Sequence, residues 1–175
     1  MLASLGASLR CLLLVSVAVT VTYPVRAVSA APSKIAVFEF ELENTSPSGT
    51  TWGETAKDSP AMKAITDQVR RSLEQSGKFE IVDTSQADAP EISAHTLRTC
   101  HGCDADFALK LGADRSLIGV ISKAGNTEYY ASVRLTDTKL HKVVFQKMSF
   151  FIGGEDSWST GVRELTTEAL SHAAD

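Results

Sequence analysis

The sequence lacks an excess of basic residues, the common catalytic motifs and any internal repeat. Its formal net charge is −4 at pH 7, which argues against nucleic acid or an anionic lipid surface as the main partner. It contains no Gly-x-Ser-x-Gly elbow, no phosphate-binding glycine loop and no His-Glu-x-x-His helix. We therefore predict no catalytic residues and no cofactor, and the composition favours a binding module.

Long apolar runs are also absent, apart from one at the amino terminus. Arg10 precedes an uncharged stretch from Cys11 to Val21, and Val28-Ser-Ala30 places small residues where signal peptidase cuts. The run is shorter than the roughly 20 residues of a membrane-spanning helix, and a lipoprotein signal would have a small residue in place of Arg10. We predict that residues 1–30 are a signal peptide and that residues 31–175 form a single periplasmic or secreted domain.

Hydrophobic periodicity predicts helices and strands along this domain. The clearest helix has Pro60 in its first turn and ends before Gly77, and its apolar residues recur at helical spacing: Met62, Ile65, Val69 and Leu73. A near-continuous apolar run predicts a central strand at Arg115–Lys123. The other predicted elements are strands at Lys34–Leu42, Phe79–Val82, Glu128–Asp137 and Lys142–Ile152, and helices at Asp104–Leu111 and from Asp156 or Ser157 onward.

The order of these elements, β-α-β-α-β-β-β-α, predicts an α+β fold. The first strand–helix–strand unit is typical of a parallel crossover. Turn signals at Gly125-Asn126 and Thr138-Lys139 join the last three strands into an antiparallel meander. We expect a mixed sheet with the helices mainly on one face.

Two regions are candidates for contact with a partner protein. The loop Glu43–Lys57 is long for a connection within a compact domain, and its Trp52 either folds onto the core or faces a partner. Asp156 and Trp158 stand beside Gly153-Gly154 at the start of the last helix. The position of Trp158 favours the core, but this glycine-flexed helix start remains a candidate partner-facing edge.

Cys100-His-Gly-Cys103 is the motif with chemistry at short range. In an exported protein, two cysteines this close are expected to pair with each other. A structural clip that ties the loop to the next helix is one interpretation, and a thiol–disulfide oxidoreductase is the alternative. The clip is favoured because no convincing strand precedes the motif and no proline follows Pro90 to form a cis-proline loop. His101 is a predicted partner contact, as is Asp104, which can also accept hydrogen bonds from free amides at the helix start.

A metal site needs more ligands than this motif supplies. Structural zinc takes four ligands, and the available set is Cys100, Cys103, His101 and His95, without a second close pair. A metal carrier is therefore a second alternative, and we predict no metal ligands. The alternating acids Glu39, Glu41 and Glu43 are interpreted as a solvated strand edge.

The pattern of residues resembles a family of small bacterial periplasmic domains of unknown function. The likeness covers Lys34 to Ala173 and is carried by Cys100-x-Gly-Cys103, Leu111-Gly-Ala-Asp114, Ile118-Gly119 and Asp156-Ser-Trp158. This chain has His101 where the family has Asn, which weakens a ligand role for that side chain. Because the family has no established activity, the resemblance implies a fold and a compartment but no reaction.

More distantly, the strand that begins Ile-Ala-Val-Phe and the Gly-Ala-Asp…Leu-Ile-Gly join are similar to the amino-terminal domain of TolB. They are also similar to curli-secretion and penicillin-binding-protein-activator lipoproteins. The resemblance implies an envelope assembly module that binds another envelope protein. We therefore predict a non-enzymatic domain that uses the Glu43–Lys57 loop and the Cys100–Cys103 region as contact surfaces. An uncovered sheet edge would also let a partner add a strand.

Overall fold

One mixed sheet and three helices make up the part of the chain that the computed structural model describes. That part comprises residues 31–44, 60–85, 96–125 and 127–172, without the side chains of residues 155 and 156. The predicted α+β class is confirmed. The strands are β1 (Ser33–Val37), β2 (Glu41–Asn44), β3 (Phe79–Val82), β4 (Arg115–Lys123), β5 (Glu128–Asp137) and β6 (Lys142–Ile152), and the helices are α1 (Pro60–Gln75), α2 (Cys103–Lys110) and α3 (Glu155–His172).

β4 lies at the centre of the sheet. In the described residues the strand order is β3-β1-β4-β5-β6, and β2 also pairs with β4. β1 and β2 run parallel to β4, and β3 runs parallel to β1. β5 and β6 continue the sheet in antiparallel fashion. The central strand, the parallel pairing of β1 with β3 and the antiparallel meander agree with the predictions from periodicity and turn signals.

The predicted strand Lys34–Leu42 is wrong in one respect, because it is two strands. Val37 pairs with Leu117, and Glu41 pairs with Val120. The segment therefore contains one more residue than β4 over the same span, as in a β-bulge. The extra residue brings Phe40 into the same core cluster as Val37, which accounts for the imperfect alternation of apolar residues in the sequence.

α1 supplies hydrogen bonds where this strand is interrupted. The amide of Phe40 donates to Thr66 Oγ1 at 3.0 Å, and the guanidinium of Arg70 donates to the carbonyl of Val37 at 2.8 Å. The ring of Phe40 lies over Gly119, where a Cβ would overlap it. The glycine in the central strand thus makes room for the ring of Phe40 at the bulge. Periodicity alone does not reveal this tertiary contact.

The helices cover the two faces of the sheet unequally. α1 and α3 pack on one face, where Met62 and Leu165 belong to the larger core cluster. α2 packs on the other face, where Ala108 meets Ala36 and Ile118 in a smaller cluster. Two helices on one face and one on the other agree with the predicted arrangement. α2 covers β1 and β4, so the neighbouring strands β5 and β6 keep exposed apolar side chains.

Several predictions concern residues outside the described part of the chain. The signal peptide at 1–30, Trp52, most of the Glu43–Lys57 loop and His95 lie there, and these stay predictions. No helix in the described residues has the length and apolar character needed to cross a membrane.

Candidate functional site

The disulfide loop forms one end of the candidate site. The sulfur atoms of Cys100 and Cys103 lie at bonding distance, and their Cα atoms are 5.5 Å apart. Between them, His101 has φ 53° and Gly102 has φ 113°, so both lie in the region that favours glycine. This short ring places the exposed imidazole of His101 at its tip.

A buried carboxylate anchors the segment before the disulfide to the sheet. Glu41 is only 4% exposed. It accepts a hydrogen bond from the amide of Leu97 at 2.7 Å and another from the guanidinium of Arg98 at 2.9 Å. A carboxylate is tolerated in the interior when it is paired in this way. The interpretation of these acids as a solvated strand edge is therefore wrong for Glu41.

A second buried carboxylate anchors α2. Asp104 is fully buried and accepts hydrogen bonds from the Ser116 hydroxyl at 2.6 Å and the Arg134 guanidinium at 2.9 Å. The prediction that Asp104 caps the helix is wrong, because Gly102 is the N-cap and no side chain caps α2. The carboxylate points into the domain, where it ties α2 to β4 and β5.

An apolar surface lies beside α2 on the same side of the sheet. We call it the β5–β6 face and define it by Tyr130, Met148, Phe150 and Ile152, which are 37%, 64%, 49% and 75% exposed. Tyr130 pairs with Phe150 across the two strands, and their ring centroids are 5.2 Å apart. A contiguous exposed apolar patch marks an interaction surface, and aromatic residues and Met are enriched in the cores of protein interfaces.

Arg134 connects this face to the disulfide loop. It leaves β5 on the same side as Tyr130, because side chains an even number of residues apart share a face of a strand. It then reaches Asp104 in the first turn of α2, next to Cys103. The loop, the start of α2 and the β5–β6 face therefore form one continuous region.

Ion pairs and hydrogen bonds fix the strands that carry the face. Lys147, on the opposite side of β6, bonds both carboxylate oxygens of Glu168 in α3 at 2.6 and 2.8 Å. At the β5–β6 turn, the carboxylate of Asp137 accepts hydrogen bonds from the amides of Leu140 and Lys139, at 2.9 and 3.0 Å. The pKa of Asp137 lies below its ordinary value of 3.8, first because of the Leu140 amide. The hydrogen bonds of the turn therefore favour the ionised form of this carboxylate.

The other predicted contact residues lie elsewhere. Trp158 is 7% exposed and belongs to the core cluster; its ring centroid is 6.1 Å from that of Tyr129. Little of the indole is left for a partner. Asp156 is in the first turn of α3, and its side chain is among the groups that the structure does not describe. In the described residues no three His, Cys, Asp or Glu side chains are grouped as metal ligands.

Sequence reasoning missed the β5–β6 face. Met148, Phe150 and Ile152 stand at every second position of β6, and Tyr130 alternates in β5 with apolar residues, on the same side as Ser132 and Arg134. That alternation was a usable signal. Periodicity could not show that β6 is an outermost strand among the described residues, or that α2 covers the other half of the face.

The fold and the site define a small α+β domain with a disulfide-clipped loop beside an open apolar sheet face. The chain belongs to the family described as "Protein of unknown function (DUF2380)", which matches it over residues 33–170. No curated protein matches it.

Three solved structures resemble the chain at low identity. The LpoB carboxyl-terminal domain from Salmonella enterica is 17% identical with a TM-score of 0.50, covering 70% of this chain and 84% of that one. Lipoprotein GNA1162 from Neisseria meningitidis is 17% identical with a TM-score of 0.44, covering 82% and 96%. TolB from Acinetobacter baumannii is 12% identical with a TM-score of 0.46, covering 77% of this chain and 26% of TolB. At these identities the similarity to LpoB shows a shared fold.

Proposed function

We propose that this protein is an exported, non-catalytic binding domain of the bacterial envelope, and that its β5–β6 face receives the apolar side of a helix from a partner protein. The observation that carries the proposal is the exposure of Tyr130, Met148, Phe150 and Ile152 together on one half of a sheet face. Exposing such side chains to water is unfavourable, and a partner that covers them recovers roughly 25 cal/mol per Å² of apolar area.

The dimensions of the uncovered strip favour a helix. Two strands of a sheet are about 10 Å wide, which is also the diameter of a helix with its side chains, about 10 Å. α2 already packs on the neighbouring strands of the same face, and the opposite face carries two helices. A helix from a partner would lie beside α2 and give this face the same two-helix cover. The residues of the partner helix that contact the face would recur every three or four positions, as in other helices that bind in grooves.

The disulfide loop has a supporting role in this proposal. The Cys100–Cys103 clip and the Asp104–Arg134 ion pair fix α2, and α2 forms one wall of the strip. His101 is exposed at the tip of the loop and is proposed as a secondary contact, together with Trp52 and Asp156.

Export is part of the same proposal. The predicted signal peptide at 1–30 and the close pair of cysteines support an oxidising compartment outside the cytoplasm.

Site-specific photo-crosslinking in cells that express the full chain tests this function. A photoreactive phenylalanine analogue at Phe150 should give a discrete adduct, and the peptide cross-linked to it should have apolar residues at helical spacing. The matched control carries the same analogue at Thr160, an exposed position on α3, and should not give that adduct. Equal adducts at both positions, or a cross-linked peptide without helical spacing, would count against the proposal.

A synthetic peptide of the cross-linked segment then gives a quantitative test. We expect it to bind the purified protein in the micromolar range and to lose at least about tenfold in affinity with Phe150→Ser, which corresponds to about 1.4 kcal/mol. Thr160→Ser is the control and should bind normally. Equal affinity of wild type and Phe150→Ser would overturn the assignment of the face.

A further inference from the structure

We propose that two copies of this protein pair through the open edges of their β6 strands and form a symmetric dimer. Among the described residues β6 and β3 are the two outermost strands of the main sheet path. β3 has four residues, whereas β6 has eleven. Proteins protect sheet edges by keeping them short or covering them, because a long exposed apolar edge is a template for pairing. β6 is long and carries exposed apolar residues.

The hydrogen-bond pattern shows which backbone groups point to this edge. The amide of Gly153 donates to the carbonyl of Thr127 at 2.7 Å, which continues the register of β5 with β6. Bonded and non-bonded pairs alternate along antiparallel strands. The odd-numbered residues 145–151 therefore bond to β5, and the even-numbered residues 146–152 direct their N–H and C=O groups outward. Their side chains lie on the β5–β6 face.

The side chains of β6 favour a pairing register centred on Met148 over the neighbouring register centred on Lys147. When a strand pairs antiparallel with the same strand of a second copy, one residue of each copy can lie at the twofold axis and face its own equivalent. With Met148 on the axis, Phe145 of one copy meets Phe151 of the other, and Lys147 meets Ser149. With Lys147 on the axis, two ammonium groups would face each other, and like charges directly opposite are destabilising. The Met148 register forms about six inter-chain hydrogen bonds between residues 146 and 150.

The helices on the opposite face allow this arrangement. α3 packs over β5 and β6, so the two α3 helices of a dimer would lie about 10 Å apart, given the spacing of strands. Packed helices are 8–10 Å apart. The dimer would leave both β5–β6 faces uncovered and join them into one apolar surface. Dimer formation uses the edge of the sheet and so does not depend on the proposed binding of a partner helix to the face.

The size of the contact limits its affinity. An interface of standard size has about 20–30 residues a side, and paired edge strands involve fewer. We therefore expect a dissociation constant in the micromolar range rather than the nanomolar range.

Cysteine cross-linking of the full-chain protein tests the register. Met148→Cys places two sulfurs at the axis, where paired residues have Cα atoms about 5.5 Å apart, a separation that suits a disulfide. It should give a covalent dimer under mild oxidation. Gln146→Cys is the matched control, since residue 146 faces residue 150 of the other copy and should not cross-link to itself. Absence of a Met148→Cys dimer, or equal cross-linking of both variants, would overturn the proposal.

Sedimentation equilibrium over a range of concentrations tests the dimer without an added cysteine. The wild type should show a monomer–dimer equilibrium. Gln146→Pro removes an outward amide but no bond to β5, so it should raise the dissociation constant at least about tenfold, while Gln146→Ala should behave as wild type. If Gln146→Pro does not fold, Met148→Lys places like charges at the axis and should weaken the dimer in the same way. A wild type that stays monomeric throughout would refute the proposal. A dimer that forms while Phe150→Ser leaves peptide affinity unchanged would refute only the proposed function.

Discussion

Replacing Asp104 with Ala should destabilise the domain far more than removing a neighbouring acid from the same helix turn. Asp104 and Asp106 both lie in the first turn of α2, where either carboxylate interacts favourably with the helix dipole. They differ in burial, because Asp104 is fully buried and the side chain of Asp106 is 59% exposed. A comparison of the two variants therefore isolates the buried contacts from the effect of charge at a helix start.

The expected loss of stability is about 3 kcal/mol for Asp104→Ala. Removing one member of a buried ion pair typically costs 3–5 kcal/mol. The low end applies here because the side chain of Arg134 is 21% exposed and can turn toward water. The Ser116 hydroxyl, which is fully buried, also loses its acceptor. Asp106→Ala should cost less than about 1 kcal/mol, as surface substitutions usually do.

Urea unfolding followed by circular dichroism measures these free energies, and a double-mutant cycle assigns the loss to the ion pair. Asp104→Ala combined with Arg134→Met should be less destabilised than the sum of the two single variants by about 1 kcal/mol or more, because no uncompensated guanidinium remains. Additive single effects, or equal losses for Asp104→Ala and Asp106→Ala, would show that the buried pair does not hold α2 on the sheet.

Two other predictions concern the disulfide and the β5–β6 turn. Cys100→Ser and Cys103→Ser should each lower the free energy of unfolding by about 2 kcal/mol, which is the chain-entropy value for so short a loop. Unchanged urea midpoints would contradict a structural clip. So would a disulfide whose reduction potential lies in the range of catalytic disulfides and which reduces insulin with turnover. The pKa of Asp114 is lowered first by its hydrogen bond from the Lys139 side chain, and that of Asp137 first by the Leu140 amide. Both pKa values lie below 3.8 in the folded protein. The two carboxylates therefore stabilise the folded state above that pH, and this stabilisation is lost as the pH falls through their folded pKa values. Urea unfolding between pH 6 and pH 2.5 should show this decline in the free energy of unfolding. If the free energy of Asp137→Asn falls as steeply as that of the wild type, the Asp137 carboxylate does not stabilise the turn.

Local patterns predicted the elements well because they depend on neighbours along the chain. The stripe Met62, Ile65, Val69 and Leu73 is buried in α1 as predicted. In β5 the apolar side chains stand at alternate positions and are buried, namely Tyr129, Ala131, Val133 and Leu135. Periods of 3.6 and 2 fix which side of an element is apolar, whatever it packs against.

The roles of the charged residues could not be predicted in this way. The local sequence predicted a solvated strand edge for Glu41 and a helix cap for Asp104. Both side chains are instead buried, and their ion-pair partners are far away in the sequence. Their pairing depends on where Arg98 and Arg134 lie in the folded domain. No local pattern contains that information, because the cost of burying a carboxylate is offset only by contacts formed in three dimensions.

The sequence by itself determined the number, type and order of most elements and the apolar side of each. Only the tertiary structure decided that β6 is an outermost strand of the described sheet, that α2 leaves apolar side chains of β5 and β6 exposed, and that Phe40 requires Gly119 beneath its ring. The physical reason is that periodicity reports the solvent preference of each side chain along one element. Which apolar sides meet each other, and which are left for a partner, depends on how the elements pack together.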